Sequence, residues 1–158
     1  CHGRGLSLHV FRNARYGKPE TFNFLGFTHI CGRTRKGRFK VLRQTIRKRL
    51  QAKLCEVAAE LTRRLHLPVP QVGAWLRSVV LGHFRYYGVP GNLPHLALFR
   101  FRVARLWRRV LGRRSQRAGL TWDRMCRLIA RWLPPVRAYH PYPNQRLCVV
   151  TYGKSRMR

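Results

Sequence analysis

Apolar and polar positions change rhythm along the chain. Leu6, Leu8 and Val10 alternate with Ser7 and His9, the period-2 pattern of a strand. Thr21–Ile30 and Arg38–Leu42 are further strand-like runs flanking the basic turn Cys31-Gly32-Arg33-Thr34-Arg35-Lys36-Gly37. Joined this way they make a hairpin, and a lone hairpin is marginal in water without a neighbour over its apolar face. Residues 1–42 are therefore expected as a β segment.

The period then lengthens. Ile46, Leu50, Leu54, Val57, Leu61 and Leu65 step by three or four and line one helix face, with Thr45 as the expected N-cap and Pro68 closing the pattern. A second helix carries Val72, Trp75, Leu76, Val79, Val80, His83, Phe84 and Tyr87 and stops at Gly88, before the turn Val89-Pro90-Gly91-Asn92. A third begins near Pro94 and gathers Leu96, Phe99, Val103, Leu106, Trp107, Val110 and Leu111 within roughly 140° at ~100° per residue. A fourth runs from Thr121, its expected N-cap, through Met125, Leu128, Ile129 and Trp132 to Pro134-Pro135. Residues 43–133 thus read as one helical unit, and 134–158 as a Pro-containing, basic, irregular tail. The fold class is mainly α, with an N-terminal β-hairpin, a helical bundle and that tail.

Charge changes the picture most. The chain carries 34 Lys+Arg against 4 Asp+Glu, a formal +30, and 28 of the cations are Arg. A compact protein with such a field repels itself, and a polyanionic partner is the usual remedy. Arg pairs bidentately with phosphate and stacks on bases, so the Arg bias favours nucleic acid over mere solubility. Five cysteines (Cys1, Cys31, Cys55, Cys126, Cys148) form no CxxC pair and point to a reducing, intracellular setting. The longest uncharged run, Tyr86–Phe99, is 14 residues, short of the ~20 a membrane span requires, so no membrane is expected. The chain begins at Cys1 rather than Met, and is expected to be cut from a longer reading frame.

Catalytic chemistry finds little material. Glu20, Glu56, Glu60 and Asp123 are the only acids, whereas two-metal phosphoryl transfer needs several converging on ions ~4 Å apart. Glu56 and Glu60 share a helix face with Arg49, Lys53 and Arg63, which favours local ion pairing. Gly32 and Gly37 have P-loop spacing, but Arg38-Phe39 stand where Lys and Ser/Thr are required; Gly153-Lys154-Ser155 has the ending but Cys148 in place of the first glycine. His83, on an apolar helix face, is expected as a hydrogen-bonded core residue. No catalytic residue, metal ligand or cofactor site is assigned.

The positive feature is the third helix, where Arg102, Arg105, Arg108, Arg109 and Arg113 project opposite the apolar sector and Arg100 and Arg114 flank it. Such a row suits successive phosphates of folded RNA. The first helix adds Arg47, Lys48 and Arg49 near its start and Arg63 and Arg64 near its end. A face kept charged only for solubility would intersperse acids, and the third helix has none.

Phe22-Asn-Phe-Leu-Gly-Phe27, Gly32-Arg-Thr-Arg-Lys-Gly37, Trp75-Leu-Arg-Ser-Val-Val80, Tyr86-Tyr-Gly-Val-Pro-Gly-Asn92, Leu106-Trp-Arg-Arg109 and Leu120-Thr-Trp122 closely resemble bacterial group II intron reverse transcriptase/maturases. His140-Pro-Tyr-Pro143 resembles the C-terminal signature of forms lacking an endonuclease domain. The resemblance covers nearly the whole chain from Phe22, in order and spacing. It implies that 1–42 is the end of a palm, with Phe24, Leu25, Gly26 and Phe27 as a primer-grip-like element, and that 43–133 is the thumb, or maturase domain. The implied partners are group II intron RNA, other structured RNA and RNA/DNA duplex, in a bacterial cytoplasm. The family's Tyr-Ala-Asp-Asp motif, fingers and most of the palm are absent from this chain, and residues 5–20 depart from the family after Gly5-Leu-Ser-Leu-His9. Polymerase activity and its magnesium are therefore expected only of a complete parent enzyme. A generic basic RNA- or DNA-binding protein of ribosome or nucleoid type is the alternative.

Overall fold

The computed structural model describes residues 21–33, 36–37, 39–114 and 120–141. The expected strand at Leu6–Val10, Glu20, and the tail beyond Pro141, including Tyr142-Pro143 of the proline motif, lie outside them. Among the described residues three strands form an antiparallel meander in the order β1 (Phe22–Phe24), β2 (Phe27–Arg33), β3 (Phe39–Thr45). Four helices follow: α1 (Arg47–Arg63), α2 (Val69–Tyr87), α3 (Leu93–Arg113) and α4 (Trp122–Trp132). The mainly α class with an N-terminal hairpin holds. No described helix is long and apolar enough to cross a membrane.

Three boundaries differ from the sequence reading. Thr21–Ile30 is not one strand: Leu25 and Gly26 both take positive φ, 47° and 80°, the signature of a two-residue type I′ hairpin turn. The hairpin is thus a three-stranded sheet. β3 runs through Thr45, so the 42/43 boundary falls inside a strand. Its register is set by seven pairs from Phe27↔Thr45 to Arg33↔Phe39. Thr45 is buried at the end of β3 and does not cap α1; Ile46 takes that position without a side-chain bond. Finally, α1 ends at Arg63, and Pro68 instead stands at the N-cap of α2, where a residue with no N–H to satisfy costs nothing.

Helix periodicity translates directly into the core. Leu50, Leu54, Val57 and Leu61 of α1 meet Val72, Leu76, Val80 and Phe84 of α2 and Leu96, Phe99, Val103 and Trp107 of α3 in one cluster, joined by Met125 and Leu133. Packing joins α1 to α3, and α2 to both α3 and α4. Gly73 permits the α2–α4 approach, since a Cβ there would meet the Trp132 indole at 2.5 Å. Thr121 caps α4 as expected, accepting from Arg124 N at 3.5 Å. Residues 134–141 are irregular but docked: Tyr139 N and His140 N both donate to Gly88 O, at 2.8 and 3.1 Å.

The sheet is anchored to the helices at its β1–β2 turn. Phe27 stacks on Tyr86 and meets Tyr87 edge-on, and Ile46 N donates to Gly26 O at 3.0 Å. Further along the same face Phe22, Phe24, Phe39 and Val41 are exposed.

Candidate nucleic-acid interface

The arginines of α3 do not form one row; the neighbouring helices divide them. Arg102, Arg105 and Arg109 lie on the side toward α1. With Gln51, Cys55 and Ala58 they line a groove of about 290 Å³ floored by Leu54 and Leu106. Arg102 Nη1 donates to Gln51 Oε1 at 3.4 Å, and among the described residues no carboxylate lines this groove. Arg113, also exposed, continues the row about one turn further on. Arg108 lies at the edge of that row, on the side of Arg105 away from Arg109 by helical period, and stacks over the Trp122 ring at 5.2 Å. Arg114 is exposed at the C-cap.

Arg100 corrects the sequence reading. It is half-buried, donating from Nε to Pro134 O at 3.0 Å and from Nη2 to Leu133 O at 3.4 Å. Leu133 is the C-cap of α4 and Pro134 the residue after it, so the guanidinium lies near the helix's negative end, where a cation is favourably placed. Arg100 therefore fastens α3 to the segment after α4. The signal was available, because Arg100 sits at the edge of the apolar sector rather than opposite it.

On α1, Arg47, Lys48 and Arg49 are exposed in the first turn, where there is no acid. Cations here add to the positive end of the helix dipole, an arrangement that costs helix stability and concentrates positive potential. The first turns of α2 and α3 also lack acids. By helical period Arg47 falls beside Gln51, on the groove side, and Arg49 on the opposite flank.

Arg63 and Arg64 are engaged locally. Glu60 accepts from Arg63 Nη1 at 2.7 Å and from Arg64 Nε at 3.3 Å, and Arg64 stacks over Trp75 at 4.7 Å. Glu56 pairs with Lys53 at 2.8 Å, so the expected local ion pairing is present. Asp123 stands in the first turn of α4. No three His, Cys, Asp or Glu residues converge as a metal site among the described residues.

Phe24, Leu25, Gly26 and Phe27, which the resemblance likens to a primer grip, are split between exposure and burial. Phe24 and Leu25 are exposed at the turn, and Tyr86 donates its hydroxyl to Leu25 O at 3.0 Å. Gly26 and Phe27 are buried beneath Tyr86 and Tyr87; a Cβ on Gly26 would lie 2.9 Å from the Tyr87 hydroxyl. The hairpin tip is therefore held against the C-terminal end of α2.

His83 is in the core, as expected, but its partners are rings. It stacks on Phe99 with centroids 3.8 Å apart, and its Nε2 is buried with no hydrogen-bond partner among the described residues. Burial, aided by Lys53, lowers its pKa to about 4.

No protein-family model matches the sequence, and neither a curated protein nor a solved structure matches it.

Proposed function

We propose that this chain is an RNA-binding, maturase-type module resembling the palm end and thumb of a group II intron reverse transcriptase. It clamps structured RNA, and a template–primer duplex in a complete enzyme, through the arginine-lined surface of α1 and α3. The observation that carries the reading is the acid-free groove of Arg102, Arg105 and Arg109 against α1. Guanidinium groups spaced by single helix turns match a phosphate backbone better than isolated surface cations do, and each neutralised phosphate releases counterions. Arg47 and Arg113 extend the groove at its two ends. The motifs quoted above, in their order and spacing, supply the intron-specific part of the reading.

Polymerisation is not part of the proposal. Glu56 and Glu60 are committed to neighbouring cations, and Asp123 lies in a separate element.

The test is competition binding to the full chain at several salt concentrations, with a folded group II intron transcript against bulk RNA of the same length. Preference for the intron transcript supports the module. Equal affinities leave only a generic basic RNA- or DNA-binding protein.

A further inference from the structure

Residues opposite each other in an antiparallel ladder share a face of the sheet. The register runs Phe22↔His29↔Arg43 across all three strands and Arg33↔Phe39 across two. Successive side chains alternate between faces, so these five residues stand on one face together. We propose that this face is a stacking platform for unpaired bases of single-stranded RNA, with Phe22 and Phe39 each taking a base and Arg33 and Arg43 meeting the phosphates. The proposal rests on the RNA-binding reading and gives it a second surface, away from the arginine groove.

The rings are both exposed and oriented. Phe22 is 58% and Phe39 52% exposed, and Val41 between the strand ends is exposed as well. Apolar groups collected on one open face mark an interaction surface rather than scattered surface residues. The Phe22 ring lies flat against His29, with centroids 4.8 Å apart and planes 4° from parallel. One side of the ring is thus backed, and its exposure falls to the other. His29 in turn meets Phe27 edge-on at 6.5 Å, and Phe27 packs on Tyr86 and Tyr87 of α2. A run of rings therefore leads from the helical core to Phe22 and fixes its plane before any base arrives, which lowers the ordering cost of binding.

Charge selects the occupant. Residues 21–45 hold six Lys or Arg and no acid. Among the described residues no carboxylate pairs with Arg33 or Arg43. A second copy of this chain would set the same cations against these, and like charges across a contact oppose association. A polynucleotide brings phosphates to the arginines and π-faces to the rings. Duplex RNA offers the phosphates but keeps its base faces stacked inside, whereas a single strand can splay its bases onto aromatic side chains.

The experiment titrates the full chain with three probes: a short single-stranded oligoadenylate, an abasic ribose–phosphate oligomer of the same charge, and blunt duplex RNA. The parent chain should bind oligoadenylate more tightly than the abasic oligomer, a comparison that needs no variant. Phe22→Leu with Phe39→Leu keeps two apolar side chains and removes both rings. Its affinity for oligoadenylate should fall by about fivefold or more for each ring lost, with abasic and duplex binding unchanged. Phe22→Tyr with Phe39→Tyr should restore it, and thermal melts verify that both variants fold. Equal affinity of the parent for oligoadenylate and the abasic oligomer, or a leucine variant that binds oligoadenylate as the parent does, overturns the platform alone. Self-association of the parent that the leucine variant loses gives the face to a second copy and overturns it too. Failure of all three probes to bind overturns the RNA-binding reading beneath it.

Discussion

Asn92 and Thr45 bond each other in both directions across 47 residues of sequence. The Asn92 carboxamide oxygen accepts from Thr45 N at 3.0 Å, and its Nδ2 donates to Thr45 Oγ1 at 2.8 Å. The same Nδ2 donates to Tyr87 O at 2.8 Å. Asn92 is fully buried and stands at the N-cap of α3, yet its side chain makes no cap bond there. One carboxamide thus ties the last strand to the end of α2 and the start of α3.

Asn92→Ala should loosen this joint. It strands Thr45 N–H, at a cost of about 1–3 kcal/mol when buried without a partner, whereas Tyr87 C=O keeps its bond from Val89 N. A clear drop in melting temperature is expected, with earlier amide exchange in β3 than in α3. An unchanged melt means that water replaces the carboxamide.

The arginines of α3 should separate into two kinds. Arg102→Gln, Arg105→Gln and Arg109→Gln together keep helix propensity and should leave the melt nearly unmoved. RNA affinity should fall, with the log–log salt slope shrinking by about 0.7–0.9 per lost contact. Arg100→Gln should behave oppositely, lowering stability through the freed carbonyls of Leu133 and Pro134 while leaving the salt slope alone. Filter binding at several salt concentrations, alongside melts, distinguishes them.

Trp107→Ala removes the largest fully buried side chain. The expected cost is roughly 3–5 kcal/mol, enough to unfold a domain of ordinary stability. Denaturant titration measures it.

Two glycines on α2 should respond to alanine with opposite sign. At Gly82 nothing lies within 4 Å of the new Cβ, so the helix gains about 0.5–1 kcal/mol. At Gly73 the Cβ would sit 2.5 Å from the Trp132 ring, and α4 or its indole must move. Paired melts read the two signs directly.

His83 gives stability an acid limb. Its pKa falls from 6.5 to about 4 on folding, through burial first and Lys53 second. Between these values the unfolded chain binds the extra proton, so stability is fully present above pH ~6.5 and declines as pH falls toward 4, by up to ~1.4 kcal/mol per pH unit. His83→Phe, which keeps a ring against Phe99, should flatten that limb in melts recorded across the window.

How much of this was legible beforehand follows from the range of the interactions involved. Helical spacing reports which side chains share a face, and a buried stripe must be apolar whatever covers it. Leu50, Leu54, Val57 and Leu61 could therefore be named as core from order alone, as could Leu96, Phe99, Val103 and Trp107. Thr121 as a cap and the pairs of Glu56 and Glu60 are equally local, being fixed within one turn of helix.

The failures are contacts between distant segments. Thr45 looks like a helix cap until Asn92 is brought to it. The Thr21–Ile30 run hides a turn because Leu25 adopts positive φ, which a β-rich pattern does not announce and which Tyr86 and Tyr87 help to hold. Composition set the charge, and the α3 pattern put arginines outside the apolar sector. Only packing decided that Arg100 would serve two carbonyls, Arg108 a tryptophan ring, and Arg102, Arg105 and Arg109 a shared groove. A helix period places a side chain around its own axis, whereas its partner depends on which element the tertiary fold sets alongside.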